Sequence, residues 1–504
     1  MTTRSSPRGS GPWGTLTSPA LKGPVAKSGV GSSASTLLQF SLFVCARIFL
    51  LIICIILWQF IPEETLPFTR ILLIANFILF MFLFLPRFNG NIDIFAPIYF
   101  VSVLFFIIFF IRPMQLLYHF DARSRFMPEH KELFQEALFL GSLGITTFYI
   151  GYILPIGNSL SAHLPNFRKE WRQRRILYVA FVYVIIGFAG YFFAISRSGG
   201  LSLFLSTLRG RRLLAESGSW AIASTRTLVS VTTLLVGAYC FCTGRLKLLF
   251  IIILTLDMGT SFITGGRSGA LVTALALMTM FRYSRIRHVS KMTSDIVMVA
   301  IFGILAALFV VLLGTTRSLG RAGDVSSSLA IFASSDNAFF RRLLGEFGQF
   351  DWAVIVLDLV PTRIPFQYGA TFLQFFQMFI PKAIWANKPV PVAYMINMAV
   401  GGARAGSPFT IIGELYLNFA FFGVIIGMFL FGLVSKVMYA YLRRNRGNPA
   451  ILLIYAYYFA SLHRLFTRSF APKAFGLVLF LAPAIVTILF VAKRPLRSEK
   501  RRAS

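Results

Sequence analysis

The chain has 504 residues, 56% of them hydrophobic, including 55 Phe, and a mean hydropathy of +0.73. Repeated apolar runs of about 20 residues, each long enough to cross a bilayer, exclude an ordinary water-soluble domain and define a polytopic membrane protein. The formal charge of +31 comes from basic residues in short clusters between hydrophobic spans, where they orient helices against anionic lipid, so nucleic acid is not an expected partner.

Residues 1–36 are rich in Ser, Gly, Pro and basic side chains and bury too little surface to fold, which predicts a disordered cytoplasmic tail. The run from Leu37 to Phe60 is too long for a signal-peptide core and lacks a small-residue cleavage pattern after it, so it reads as the first span. Further spans are predicted near Ile71 to Leu85, Ile92 to Ile111, Leu133 to Leu154, Ile176 to Ile195, Ala221 to Cys242, Leu246 to Ile263, Ser268 to Phe281 and Asp295 to Gly314. After a long polar interruption at 315–408, the last spans run near Phe409 to Val434, Ala450 to Phe466 and Phe475 to Val491, before a basic tail at 492–504. The expectation is an all-α protein with about twelve transmembrane helices, nine before the interruption and three after it. Cys45, Cys54, Cys240 and Cys242 all fall inside these spans, without the spacing of a zinc site or a disulfide framework.

Counting from a cytoplasmic N-terminus puts the densest basic clusters inside, at Arg168 to Arg175, Arg282 to Lys291, Arg443 to Arg446 and Lys493 to Arg502, with both termini cytoplasmic. The same count leaves arginines outside, around Arg197 to Arg212, at Arg267, near Arg468 and throughout the 315–408 loop. That loop carries Arg317, Arg321, Arg341, Arg342, Arg363, Lys382, Lys388 and Arg404. Lys and Arg normally gather on the cytoplasmic side, so an outer face this cationic calls for an anionic ligand. Within the loop, Glu346 to Val360 reads EFGQFDWAVIVLDLV; Asp351 and Asp358 share one helical face, and the segment is expected to lie along the outer membrane surface. A second apolar run, Phe372 to Ile380, stops at Pro381. The loop therefore reads as a helical cap over the bundle.

Three polar groups stand out at the outer ends of spans. The turn TGGRSGAL, Thr264 to Leu271, sets Arg267 between two glycine elements, which suits a phosphate or else a tight reversal whose arginine snorkels to headgroups. In SLHRLFTRSF, Ser461 to Phe470, Arg464 and Arg468 are one helical turn apart, as an anion clamp or as interfacial anchors, with His463 beside them as a structural hydrogen-bonding residue. Glu414 lies inside a hydrophobic span, where an uncompensated carboxylate costs several kcal/mol, so it needs either a salt bridge, with Arg47 one candidate, or a task as a buried base. The chain has no Walker-type loop, dinucleotide fingerprint, Asp-x-Asp pair or His/Cys cluster, so neither nucleotide nor metal is an expected cofactor.

The runs YGATFLQFFQMFIPKAIWANKP, Tyr368 to Pro389, and GELYLNFAFFG, Gly413 to Gly423, together with TGGRSGAL, resemble oligosaccharide repeat-unit polymerases of the Wzy, or O-antigen polymerase, type. The likeness covers Thr227 to Phe490 and is strongest from Tyr368 to Gly423. Two departures are visible: Lys382 stands where the family commonly has an arginine, and Ala420 follows Phe419 where the family commonly has a glycine.

The resemblance implies a GT-C-like bundle in the plasma membrane. It also implies transfer of a growing glycan from undecaprenyl diphosphate to another lipid-linked repeat unit at the extracytoplasmic face, with a flippase and a chain-length regulator as possible partners. In that scheme Arg267, Arg464 and Arg468 hold the diphosphate in place of a metal, and Arg341, Lys388 and Arg404 close over the second substrate. Glu414 is the expected base, with Glu346 or Asp351 as alternatives. An O-antigen-ligase-like transferase shares these features; a flippase or transporter would be expected to show a two-fold repeat of broken helices.

Overall fold

Long apolar runs in a bilayer have no solvent to satisfy their backbone groups, and a helix satisfies them internally. The computed structural model describes residues 51–61, 65–82, 93–118, 131–207, 220–263, 267–284, 348–380, 389–401 and 409–492, with a few isolated positions between these segments. Among the described residues there is no strand, and Trp171 and Ala492 form an isolated antiparallel bridge. The principal helices are α1 (Pro67–Phe82), α2 (Pro97–Tyr118, with a π turn at Ile107–Ile111), α3 (Lys131–Ile153) and α4 (Gln173–Arg197). Next come α5 (Thr227–Thr243), α6 (Lys247–Ile263), α7 (Arg267–Ser284), α8 (Gln349–Leu359) and α9 (Ala370–Gln377). Last are α10 (Val392–Ala399), α11 (Ile411–Arg444), α12 (Pro449–Thr467) and α13 (Phe470–Val491).

Seven helices among the described residues are long and apolar enough to cross a membrane. The remaining predicted spans fall on α1, α6 and α7, or wholly or partly on residues outside the described set. Helix α12 is the hub, with 89% of its apolar window buried, whereas only 28% is buried in α4 and in α13. Those outer helices present Phe181, Ile185, Val486 and Leu489 outward. A continuous apolar exterior of this kind is stable against lipid and not against water.

Helices α3 and α11 form the most extensive pair and run in the same direction, since Gly151 meets Phe429 and Gly157, just past α3, meets Lys436. A Cβ on Gly151 would lie 2.1 Å from the Phe429 carbonyl oxygen, and one on Gly432 would lie 2.1 Å from that of Phe148. Backbone meets backbone here, the approach that small residues permit between membrane helices.

Helix α11 is interrupted. Phe419 (φ −142°, ψ 26°) and Ala420 (φ 51°, ψ −142°) leave helical geometry. A Cβ on Gly423 would meet the Leu415 carbonyl oxygen at 2.3 Å, whereas eight residues of straight helix span about 12 Å. Residues 411–418 therefore double back on 421–444, which brings Ile412 and Val424 against the same glycine, Gly144. Thr410 caps the short arm by accepting the Gly413 amide at 3.1 Å.

Polar contacts separate the two ends of the bundle. At one end, Tyr439 and Tyr283 donate to Asp93 Oδ2 at 2.6 and 2.9 Å, Tyr455 donates to the Phe95 carbonyl at 2.7 Å, and Asn448 donates to the Phe167 carbonyl at 2.6 Å. The basic residues Arg168 to Arg175 and Arg443 to Arg446 belong to this end. The opposite end gathers the first turns of α5, α7, α11 and α13 and the last turns of α4, α6 and α12.

Helix α8 departs from the expected surface placement. Phe350, Ala353, Val354, Ile355, Val356, Leu357 and Leu359 are all buried, between α3, α11 and the π turn of α2. Apolar residues lie around most of its circumference, and a helix of that kind is enclosed by its neighbours instead of resting on them. Asp351, weighed from sequence as a base, is held by Arg112, with Nε to Oδ1 at 3.1 Å and Nη2 to Oδ2 at 2.7 Å. This two-pronged pair secures α8 to α2 and engages both oxygens of Asp351.

Candidate functional site

The second end of the bundle holds two polar groups joined by the short connection between α12 and α13. The first is built around Glu414, on the short arm of α11 and fully enclosed at 0% exposure. Its Oε2 accepts the Phe470 amide at 2.5 Å, at the first residue of α13. Its Oε1 is buried without a hydrogen bond. No ion pair to this carboxylate occurs among the described residues, and Arg47, the partner considered for it, lies outside them. The Phe470 amide, in the first turn of a helix, takes that role, and the helix dipole favours a carboxylate there.

Asn418, one turn further along the short arm, is buried beside Glu414. Its Nδ2 donates to Thr371 Oγ1 and to the Glu414 carbonyl, both at 2.7 Å, and its Oδ1 accepts the Gly369 amide at 2.8 Å. The backbone continues the junction: Gln367 donates to the Leu417 carbonyl at 3.0 Å and Tyr368 to the Asn418 carbonyl at 3.2 Å. Carbonyls freed by the break in α11 are thus satisfied by the segment leading into α9, as an interrupted membrane helix requires. Three left-handed residues meet here, Tyr368 (φ 43°), Gly369 (φ 90°) and Ala420 (φ 51°). Backbone held in sparsely populated regions gathers at functional sites.

The second group is cationic. Arg464 Nη2 donates to the Ser268 carbonyl, and its Nε is buried without a partner. Nearby, Arg226 donates from Nε to Thr260 Oγ1 at 2.8 Å, and from Nη2 to Asp257 Oδ1 at 3.0 Å and to Ser261 Oγ. Asp257 is fully buried and also accepts from Ser230 at 2.8 Å and Thr273 at 3.4 Å.

Of the residues singled out from sequence, the fold brings Glu414 to the start of α13 and Arg464 to the first turn of α7, which begins at Arg267. The side chain of Arg267 lies outside the described set, as do Arg341, Lys388, Arg404 and Glu346. Arg464 and Arg468 do not share a helical face. α12 ends at Thr467, and Arg468 is extended (φ −147°, ψ 164°), so it leaves the helix and begins the link to Phe470. His463 bonds the Ala460 carbonyl through Nδ1 at 2.8 Å, the structural role expected of it.

Sequence reasoning missed Arg226, Asp257, Thr371 and Asn418. Asp257 carries the same signal that marked Glu414, a carboxylate within a hydrophobic run. Arg226 stands in the polar stretch STRT, inside the span predicted from Ala221 to Cys242, and carries the same signal of a charge within a predicted span.

Helices with a lipid-facing exterior, surrounding a buried carboxylate and paired guanidiniums at one end, define a multi-pass membrane protein with a polar site at one bundle end. The model of the O-antigen polysaccharide polymerase Wzy family matches residues 42–499, nearly the whole chain, and the chain belongs to that family. Membership makes it a polymerase that joins oligosaccharide repeat units into polysaccharide. No curated protein and no solved structure matches the chain.

Proposed function

We propose that the protein transfers a growing glycan from undecaprenyl diphosphate to a sugar hydroxyl of a second lipid-linked repeat unit. The acceptor oxygen attacks the anomeric carbon, the bond from that carbon to the diphosphate oxygen breaks, and the carrier leaves as its diphosphate. Glu414 takes the hydroxyl proton. Arg464, Arg267 and Arg468 hold the diphosphate and stabilise the charge that grows on it, in place of a metal ion. Arg341, Lys388 and Arg404 confine the second substrate.

The observation that carries this reading is the Glu414 carboxyl: fully buried, without an ion-pair partner among the described residues, one oxygen fixed by the Phe470 amide and the other free. The basic clusters Arg168 to Arg175 and Arg443 to Arg446 belong to the opposite end of the bundle, which supports an orientation with that end cytoplasmic and the Glu414 end extracytoplasmic in the plasma membrane. Both termini are then cytoplasmic.

Purified protein supplied with a synthetic polyprenyl diphosphate oligosaccharide, without metal or nucleotide, tests the reaction class. A ladder of products longer by whole repeats supports it. Recovery of unextended substrate alone, from folded protein, contradicts it.

A further inference from the structure

The cationic half of the site contains more guanidinium than carboxylate. Arg226 is fixed along one edge, by Thr260 at Nε and by Asp257 and Ser261 at Nη2, and no bond from Nη1 is formed among the described residues. Both oxygens of Asp257 are occupied, by Arg226 and Ser230 at Oδ1 and by Thr273 at Oδ2. Arg464 has a carbonyl, not a carboxylate, as its partner, and a buried Nε left over.

The two guanidiniums converge on consecutive residues. Arg464 bonds the Ser268 carbonyl, and Arg226 Nη1 and Nη2 lie 3.8 and 4.0 Å from where a Cβ of Gly269 would be. Among the described residues, one carboxylate against two guanidiniums leaves a positive charge uncompensated at the end of an apolar bundle, a costly arrangement until an anion arrives.

We propose that Arg226 is a second anion-binding guanidinium, which grips the diphosphate of the carrier lipid together with Arg464, and that Asp257 is the positioning residue that keeps its open edge turned to the ligand. A diphosphate offers non-bridging oxygens on two phosphorus atoms, and two guanidinium forks match them as a single cation does not. Asp257, Thr260 and Ser261 hold the Arg226 plane in advance, so little side-chain freedom is lost on binding. The proposal rests on the reading of the carrier as a polyprenyl diphosphate.

Equilibrium binding of radiolabelled polyprenyl diphosphate to the full-length protein in nanodiscs of zwitterionic lipid tests it, with melting temperature as the check on folding. Arg226→Gln is expected to weaken binding by at least about tenfold, the loss of a charge-assisted contact. Arg226→Lys keeps the charge without the fork and is expected to fall between the two, which maintains the test if the glutamine variant does not fold. Asp257→Asn is expected to alter affinity in the wild-type background and not in Arg226→Gln, because a positioning residue acts only through the group it positions. Affinity unchanged in both Arg226 variants overturns the proposal and leaves the carrier reading intact. Displacement of the ligand by phosphatidylglycerol at equal concentration also overturns it, and makes the site a lipid headgroup anchor. Absence of binding by the wild-type protein overturns both readings.

Discussion

The Phe470 amide donates to Glu414 Oε2 at 2.5 Å, so the first residue of the last helix is fastened to the short arm of α11 across 56 residues of sequence. The carboxylate therefore has a structural task as well as a chemical one. Glu414→Ala removes an acceptor that α13 cannot replace from solvent. A loss of about 1.5–3 kcal/mol is expected for a hydrogen bond to a charged group, read as a lower melting temperature in detergent. Glu414→Gln keeps an oxygen for the amide and is expected to melt near the wild type.

Ala420 occupies φ 51°, ψ −142°, a region that glycine enters freely and a residue with a Cβ does not. The glycine that the family commonly shows after the Phe thus has a physical reason: the chain must reverse there for 411–418 to double back. Ala420→Gly is expected to stabilise the protein by about 1 kcal/mol through relief of strain, and Ala420→Val to destabilise it. Thermal denaturation of the two variants side by side checks the sign of each.

The Arg112–Asp351 pair is assigned to holding α8 in place, not to proton transfer. Asp351→Ala leaves a guanidinium that is 4% exposed without its carboxylate, and a loss of about 3–5 kcal/mol is expected. The double variant Arg112→Met with Asp351→Leu removes both charges and is expected to recover folding and polymer synthesis together. A folded double variant with no activity would return Asp351 to the catalytic candidates.

Gly432→Val places a branched side chain where a Cβ alone would approach the Phe148 carbonyl oxygen to 2.1 Å. The oxygen belongs to backbone and cannot rotate away, so α3 and α11 must separate. A destabilisation of more than about 3 kcal/mol is expected, seen as reduced membrane-inserted protein.

The membrane class, the all-helical architecture and the polar ends of the helices were legible in the sequence, because hydrophobic run length and the cost of a buried charge are local properties. Glu414 was legible for that reason. Its partner was not, since nothing in the spacing of Glu414 and Phe470 announces a helix N-terminus arriving from a later span. The union of the Tyr368 and Gly413 motifs through Asn418 was equally hidden: each motif is short, and a two-residue break at Phe419 and Ala420 makes them adjacent. The placement of α8 was misread because Asp351 and Asp358 suggested a wet face, and one of these aspartates instead pairs with an arginine on α2. Arg468 was misread for lack of a visible helix stop between it and Arg464.

Glu414→Gln in a single-turnover assay with synthetic polyprenyl diphosphate oligosaccharide tests the central claim most directly. The substitution keeps size and an acceptor for Phe470 while removing the ability to take a proton. With Glu414 as the base, the variant binds the donor with wild-type affinity, and its rate of product growth falls by about 10²–10⁴-fold. Product growth at the wild-type rate from the folded variant would contradict the assignment and place the base elsewhere.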